Sequence, residues 1–356
     1  MRRTVVVVTL NYQNQPDKVN AERGEVLAME TTIKGYLEGL TLGEIQIHKH
    51  VAVIPVMGTN GSGPDYLTMK EAMDRRLIQI GEVGESGHVP ELKVINTGLK
   101  PVLLLDGEEL AGAKQNRVLN TTVLIREKSE TIIPVSCTEH GRWSYRSQYF
   151  EESCHIMSAR LRGVKNASVH ENLKERCVFV SDQFAVWDGI RVQAAANKVD
   201  APTGAMRDVL KAKQEDLDDF LEHFPLMDRQ KGLLVLVNGE VVGMDVISRK
   251  EAFALLHSKL VKSYVMDALT EMPKKNKDAG TMKAADFLKK IPVCGESAFD
   301  SVGYGRDYRY EGEGLVGSAL VHEGTVIHLA FFQINKADKT GRMSSVNRRR
   351  SYRTNQ

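Results

Sequence analysis

Residues with chemical potential crowd between Leu103 and Trp143. The run holds Asp106, Glu108 and Glu109, then Lys114, Gln115, Asn116 and Arg117, and finally Cys137, Glu139, His140, Arg142 and Trp143. Several chemistries fit these types. Cys137 and His140 could act as nucleophile and base, provided that Arg142 and Lys114 supply the positive field that lowers a thiol pKa. Glu139 could act as a general acid or base. Arg142 beside Trp143 suits an aromatic or phosphorylated ligand, through a bidentate fork and stacking. The competing reading is a hydrogen-bond knot that ties neighbouring strands together.

The elements that must position these groups are mostly strands. Pro90 to Val135 reads as a β meander. Asp106-Gly107 between apolar runs predicts a two-residue hairpin, because both turn residues favour positive φ. Read as a strand, Lys114 and Asn116 share one face and Gln115 and Arg117 the other. A half-buried strand should carry apolar residues on one face; polar residues on both imply an edge or the wall of a cavity. Thr68 with Glu71 predicts a capping box and a helix to about Leu77. Another helix is predicted over 202–224, capped by Asp200. Asn238-Gly239 predicts a second hairpin. Ser248 with Glu251 predicts a second capping box, whose helix sets Phe253, Leu256, Leu260 and Tyr264 on one face. A last hairpin is expected between 315–320 and 325–332. Runs of strands without strict alternation with helices predict an α+β fold. The reading divides the chain into an N-terminal strand and polar segment (1–24), a β-rich, meander or sandwich-like half (25–150), an α+β half packed with it (151–335), and a basic tail (336–356).

Other motifs carry less. Gly58 to Gly63 lies between a strand and a helix, like a phosphate cradle, but lacks the Lys-Ser/Thr ending of a P-loop. Gly312, Gly314 and Gly317 have dinucleotide-fingerprint spacing, but a hairpin follows where that motif opens a helix. His48 and His50 share a strand face, yet no third ligand is adjacent in sequence, so neither a metal nor a cofactor is expected. The four cysteines lack close pairs, which argues against a disulfide framework or structural zinc. The N-terminal apolar run is too short for a signal peptide, and no stretch reaches the length of a membrane span. A cytoplasmic protein is expected. Net charge is +2, but residues 336–356 hold seven Lys/Arg against one Asp, leaving −4 for the rest. Such a tail reads as a disordered arm that could meet nucleic acid or an acidic partner, with a solvated tail as the plainer reading.

Segments 66–72, 89–92, 105–110, 112–120 and 133–143, with Trp187, 202–208, 262–264 and 311–317, resemble the ADP-ribosylglycohydrolase-and-rhodanese-phosphatase-associated protein domain family. The likeness spans about residues 25 to 335. It implies one integrated fold and, by association, an NAD-derived or ADP-ribose-related ligand, and it assigns no catalytic residue. The leading expectation is a pocket for a small anionic, nucleotide-like ligand. Gln115, Asn116 and Arg117 would fix its polar edges, Lys114 and Arg142 its phosphates, and Trp143 its base. Glu109 or Glu139 would bond a ribose or act as the acid or base. A hydrolase using Glu139 or Cys137, and a non-catalytic assembly protein, are the alternatives.

Overall fold

Alternation along Leu233 to Val237 sets the plan of the molecule. Leu233, Val235 and Val237 enter one core, and Leu234 and Leu236 enter another, as successive side chains of a strand must. A strand apolar on both faces belongs inside a covered sheet. The computed structural model describes residues 29–58, 63–84, 90–142, 144–274 and 280–334. The expected N-terminal strand, the basic tail, most of the Gly58 to Gly63 loop and Trp143 lie outside the described residues.

The described chain opens with α1 (Thr31–Glu38), β1 (Thr41–Leu42), β2 (Gln46–His48), β3 (Val51–Met57), β4 (Leu67–Thr68) and α2 (Met69–Asp74). Next come β5 (Ile78–Glu82), β6 (Glu91–Asn96), β7 (Val102–Leu104), β8 (Glu108–Gly112), β9 (Arg117–Leu119), β10 (Val123–Ile125), β11 (Ser129–Cys137) and β12 (Phe150–Ile156). Four helices follow: α3 (Ala159–Arg176), α4 (Gln183–Ala196), α5 (Met206–Ala212) and α6 (Gln214–His223). The chain continues through β13 (Gln230–Val237), β14 (Glu240–Ile247), α7 (Lys250–Ala268) and α8 (Thr281–Lys290). It ends in β15 (Gly295–Asp300), β16 (Arg306–Gly312), β17 (Leu315–His322) and β18 (Thr325–Gln333).

The fold is α+β. A nine-stranded antiparallel sheet runs β1-β3-β13-β14-β18-β17-β16-β15, with β2 also on β3. It takes strands from both sides of residue 150. Leu256, Leu260 and Tyr264 of α7 cover one face, and Ile33 of α1 and Phe287 of α8 cover the other. A six-stranded sheet, β12-β8-β9-β11-β6-β5, and a three-stranded sheet, β10-β7-β4, share a third core. Leu92 and Val94 of β6, Ile133 and Val135 of β11, and Leu104 and Val123 meet there. Among the described residues no helix is long and apolar enough to cross a membrane.

Several local expectations hold. Asn238 and Gly239 both have positive φ and join β13 to β14. Glu323 and Gly324 do the same between β17 and β18. The Thr68–Glu71 capping box is present, though its helix stops at Asp74. Others need correction. Asp106-Gly107 joins no hairpin: β7 pairs with β10 and β4, whereas β8 pairs with β9 and β12. Only Gly107 of the two has positive φ, 83°. A Cβ there would also meet Arg162 Cδ at 2.8 Å. Ser248 does not cap α7; its hydroxyl bonds Tyr66 at 2.7 Å, and Arg249 is the N-cap residue. The helix expected over 202–224 is two helices, α5 and α6, and neither has a side-chain cap. The polar stretch Lys114 to Asn116 is the turn between β8 and β9, entered through Ala113 at φ 39°. Its two polar faces need no sheet edge.

A buried charge network links the sheets. Asp245 on β14 accepts from Arg162 Nη1 and Nη2 (2.9 and 2.7 Å), Tyr264 Oη (2.7 Å) and His328 Nε2 (3.0 Å). A carboxylate only accepts, so His328 carries a proton on Nε2, and its Nδ1 lies 2.8 Å from Thr122 Oγ1. Arg162 Nε reaches Asp106 Oδ2 at 3.3 Å, and Lys165 pairs with Asp106 Oδ1. Burial opposes the charge on Asp245, but Arg162 and His328 hold its carboxyl well below the usual range. Replacing Asp245 by Asn leaves Arg162 buried and undercompensated. We expect urea unfolding at pH 7 to show a loss of about 3–5 kcal/mol. Cutting the Lys262–Asp218 pair, whose aspartate side chain is 48% exposed, should cost less than about 1 kcal/mol.

Candidate functional site

The β8–β9 turn and the exit of β11 lie against each other, because β11 pairs β9 with Cys137 opposite Arg117. Most residues singled out from sequence therefore converge, and they converge inward. Glu109, Lys114, Gln115, Asn116, Arg117, Cys137, Glu139 and Arg142 are all buried. His140 is exposed and meets the edge of Trp187 at 4.4 Å.

Arg142 is the centre of the knot. Its Nε lies 2.8 Å and its Nη2 2.7 Å from Glu139 Oε2. Nη1 donates to the carbonyls of Ala113 and Ser144, each at 2.8 Å. Nη2 also reaches Asn116 Oδ1 at 3.3 Å. The guanidinium thus clamps the 113–116 turn to the segment after residue 142. Glu139 Oε1 accepts from Thr203 Oγ1 at 3.0 Å, and Oε2 from the Asn116 amide at 3.4 Å. Burial works against the Glu139 charge, but Arg142 outweighs it and lowers the carboxyl pKa. That state suits an ion-pair partner better than a proton donor at neutral pH.

Cys137 has the opposite electrostatics from an activated nucleophile. Burial pushes its thiol up to about 11, even with Arg117 nearby. Its Sγ lies 3.1 Å from Gln115 Oε1, which also accepts from Arg117 Nη1 at 3.2 Å. Gln183 bonds both backbone groups of Cys137, at 2.7 and 2.9 Å, much as a further strand would. Among the described residues no hydrogen bond joins Cys137 to His140.

The open space lies beside the knot. A cleft of about 740 Å³ is walled by Gln79, Glu82, Lys93, Tyr145, Arg146 and Tyr149, among others. Gln115, Asn116, Arg117 and Arg142 are not among its wall residues. Lys114 approaches its edge, with Nζ 5.0 Å from the centre of the Tyr145 ring. The Glu82 side chain is only 4% exposed. Its Oε1 accepts from the Lys114 amide at 3.3 Å and lies 3.9 Å from Arg117 Nη2. Its Oε2 has no hydrogen-bond partner among the described residues. Sequence reasoning missed Glu82, Tyr145, Arg146 and Tyr149. The one available signal was the polar, aromatic character of the segment after residue 143.

Glu109 reports on the interior of this region. Burial pushes its carboxyl up to about 7, against the pull of the Thr138 hydroxyl, which donates at 2.8 Å. A carboxyl raised in the folded state contributes full stability below its unfolded pKa. That contribution is lost as pH rises through the folded value. Glu109→Gln removes the charge at every pH. The stability gap between variant and wild type should open from about pH 4.5 to about pH 7, where the variant is favoured by on the order of 3 kcal/mol. Paired melting curves across that range check this, and a gap constant with pH would refute it.

The comparisons bear on this geometry. A family model described as the ARG and Rhodanese-Phosphatase-superfamily-associated Protein domain matches residues 39–332. No curated protein and no solved structure matches the chain. The matched span runs from just before β1 into β18 and takes in the knot, the cleft and the charge network. The chain belongs to the ARG and Rhodanese-Phosphatase-superfamily-associated Protein domain family.

Proposed function

We propose that the protein binds a small nucleotide-like anion, of the NAD-derived or ADP-ribose class, in the cleft between β5–β6 and residues 145–149. The observation that carries this reading is Glu82. It is a buried carboxylate on the cleft wall with one oxygen lacking a hydrogen-bond partner among the described residues. Such an acceptor is costly unless a donor reaches it. Oε2 is closed to solvent in this structure, and a turn of the Glu82 side chain toward the cleft would present it to a ribose hydroxyl, a donor of the right kind. Tyr145 and Tyr149 are exposed at the rim, 55% and 39%, where either ring can stack on a base. Arg146, with an exposed side chain and Nη2 3.9 Å from Glu139 Oε1, offers a guanidinium for phosphate. Lys93 adds a second cation, shared with Glu130 at 3.1 Å. The volume falls within the range of small-molecule sites, roughly 300–1,000 Å³. The family's name, which records association with ADP-ribosylglycohydrolase and rhodanese–phosphatase proteins, supports the ligand class.

In this reading the sequence-singled residues Gln115, Asn116, Arg117, Arg142 and Glu139 hold the rim in place, and Lys114 assists Tyr145. Calorimetric titration with ADP-ribose, NAD, AMP and inorganic phosphate tests it. ADP-ribose or NAD should bind more tightly than phosphate. Tyr145→Ala and Arg146→Ala, both exposed, should each weaken binding by about tenfold or more with unchanged melting temperature. Arg142→Ala should instead lower the melting temperature. Absence of binding at millimolar ligand, or full affinity in both rim variants, would overturn the proposal.

A further inference from the structure

A second cluster lies on another part of the surface. His48 and His50 do not share a strand face, because β2 ends at His48 and Lys49 has φ 53°. His50 turns away, its Nε2 2.9 Å from the Ala268 carbonyl. His48 instead meets the end of α6. Its Nε2 lies 3.0 Å from Asp219 Oδ2, and its ring stacks on His223 with centroids 3.7 Å apart. Asp219 and His223 are four residues apart, so they share one helix face. One ligand atom from each of the three lies within 4.8 Å of the others.

We infer that His48, Asp219 and His223 form a binding site for a divalent transition ion such as Zn²⁺ or Ni²⁺. Two imidazoles and a carboxylate are a donor set for such ions, with a fourth position left to solvent. The site has an orienting partner already. His223 Nδ1 lies 2.7 Å from the Asp219 carbonyl, so Nδ1 carries a proton and Nε2 is the nitrogen left to meet an ion. Backbone carbonyls commonly orient metal-ligating histidines in this way. Phe220 meets the His48 ring edge-on at 5.0 Å and limits its rotation. A cation already occupies the carboxylate: Lys49 Nζ lies 2.7 Å from the same Asp219 oxygen. An ion and the ammonium would compete for it.

Tetrahedral coordination at bond lengths of 2.0–2.2 Å puts ligand atoms about 3.3–3.5 Å apart. The cluster must therefore close slightly, and the imidazoles must unstack, since nearly parallel rings do not point at a common centre. His223 is exposed, so its turn is opposed by the His48 stack and the Nδ1 bond to the Asp219 carbonyl and by no packed core. The ion would clip the β2–β3 turn to α6.

Calorimetry on the chelator-treated full chain should show one equivalent of Zn²⁺ or Ni²⁺ bound. His223→Ala, at an exposed position, and Asp219→Asn should each weaken binding by about 100-fold or more. Lys49→Met should tighten it by removing the competing cation. Cys154 and Cys177 are exposed thiols, so Co²⁺ absorption provides a separate readout. A nitrogen–oxygen site gives no thiolate charge-transfer band. Wild-type affinity in His223→Ala, a thiolate band, or no uptake at millimolar metal would overturn the inference.

Discussion

Arg162 carries a full charge into the interior, and the arrangement of the surrounding elements follows from how that charge is compensated. Removing a guanidinium and a carboxylate from water costs several kcal/mol per ion even after relaxation, so a lone pair would gain little. Here the pair is not alone. Asp245 receives four donors, and Asp106 adds a second carboxylate with Lys165 behind it. These groups come from α3, α7, β14, β18 and the turn before β8, so the network fixes those elements relative to one another. An apolar core could supply comparable stability, but it would not demand this one geometry.

The same logic repeats along Asp106 to Glu109. Asp106 meets Arg162 and Lys165. Glu108 meets Lys259 of α7, which also bonds Glu152 at 2.6 Å. Glu109 meets neutral hydroxyls, accepting from Thr138 at 2.8 Å, with Ser153 also beside it. Three carboxylates in four residues would repel one another on an exposed strand. Buried and turned toward different partners, they join the six-stranded sheet to the helices and to the nine-stranded sheet. Arg309, paired with Asp307 and donating to Thr121 Oγ1 at 2.7 Å, makes a further link from β16.

This explains what was legible in the sequence. The Asn238-Gly239 turn, the Thr68–Glu71 box and the apolar face of α7 are set by local sterics and periodicity, so residue types suffice to find them. Asp106-Gly107 carries the same local signal, yet the carboxylate is drawn to Arg162, 56 positions away, and the flanking strands enter different sheets. Ser248 is lost as a cap because Tyr66 claims its hydroxyl. In the candidate site, the sequence located a region rich in function-capable residues but not their direction. Whether Arg142 faces a ligand or the carbonyl of Ala113 depends on contacts that no spacing encodes. Glu82 was invisible for the converse reason: a lone Glu at the end of a strand acquires meaning only when the β8–β9 turn closes over it. His48 likewise needed α6, whose Asp219 lies 171 positions on.

The knot and the cleft then have complementary roles. Recognition groups work best when their own rotamers and backbone are held by a second layer of contacts. Arg142 bonds Ala113 on one side and Ser144 on the other, while Ala113 O also accepts from the Arg146 amide at 3.0 Å. The backbone carrying Tyr145 and Arg146 is thus tied at both ends to a buried ion pair, while both side chains remain exposed. Glu139 completes the arrangement by staying ionised: losing its charge would uncouple Arg142 and release the segment it holds. The residues most suggestive of catalysis from their types alone act, in this reading, one layer behind the contact surface. The proposed ligand would meet the ordinary-looking side chains that they position.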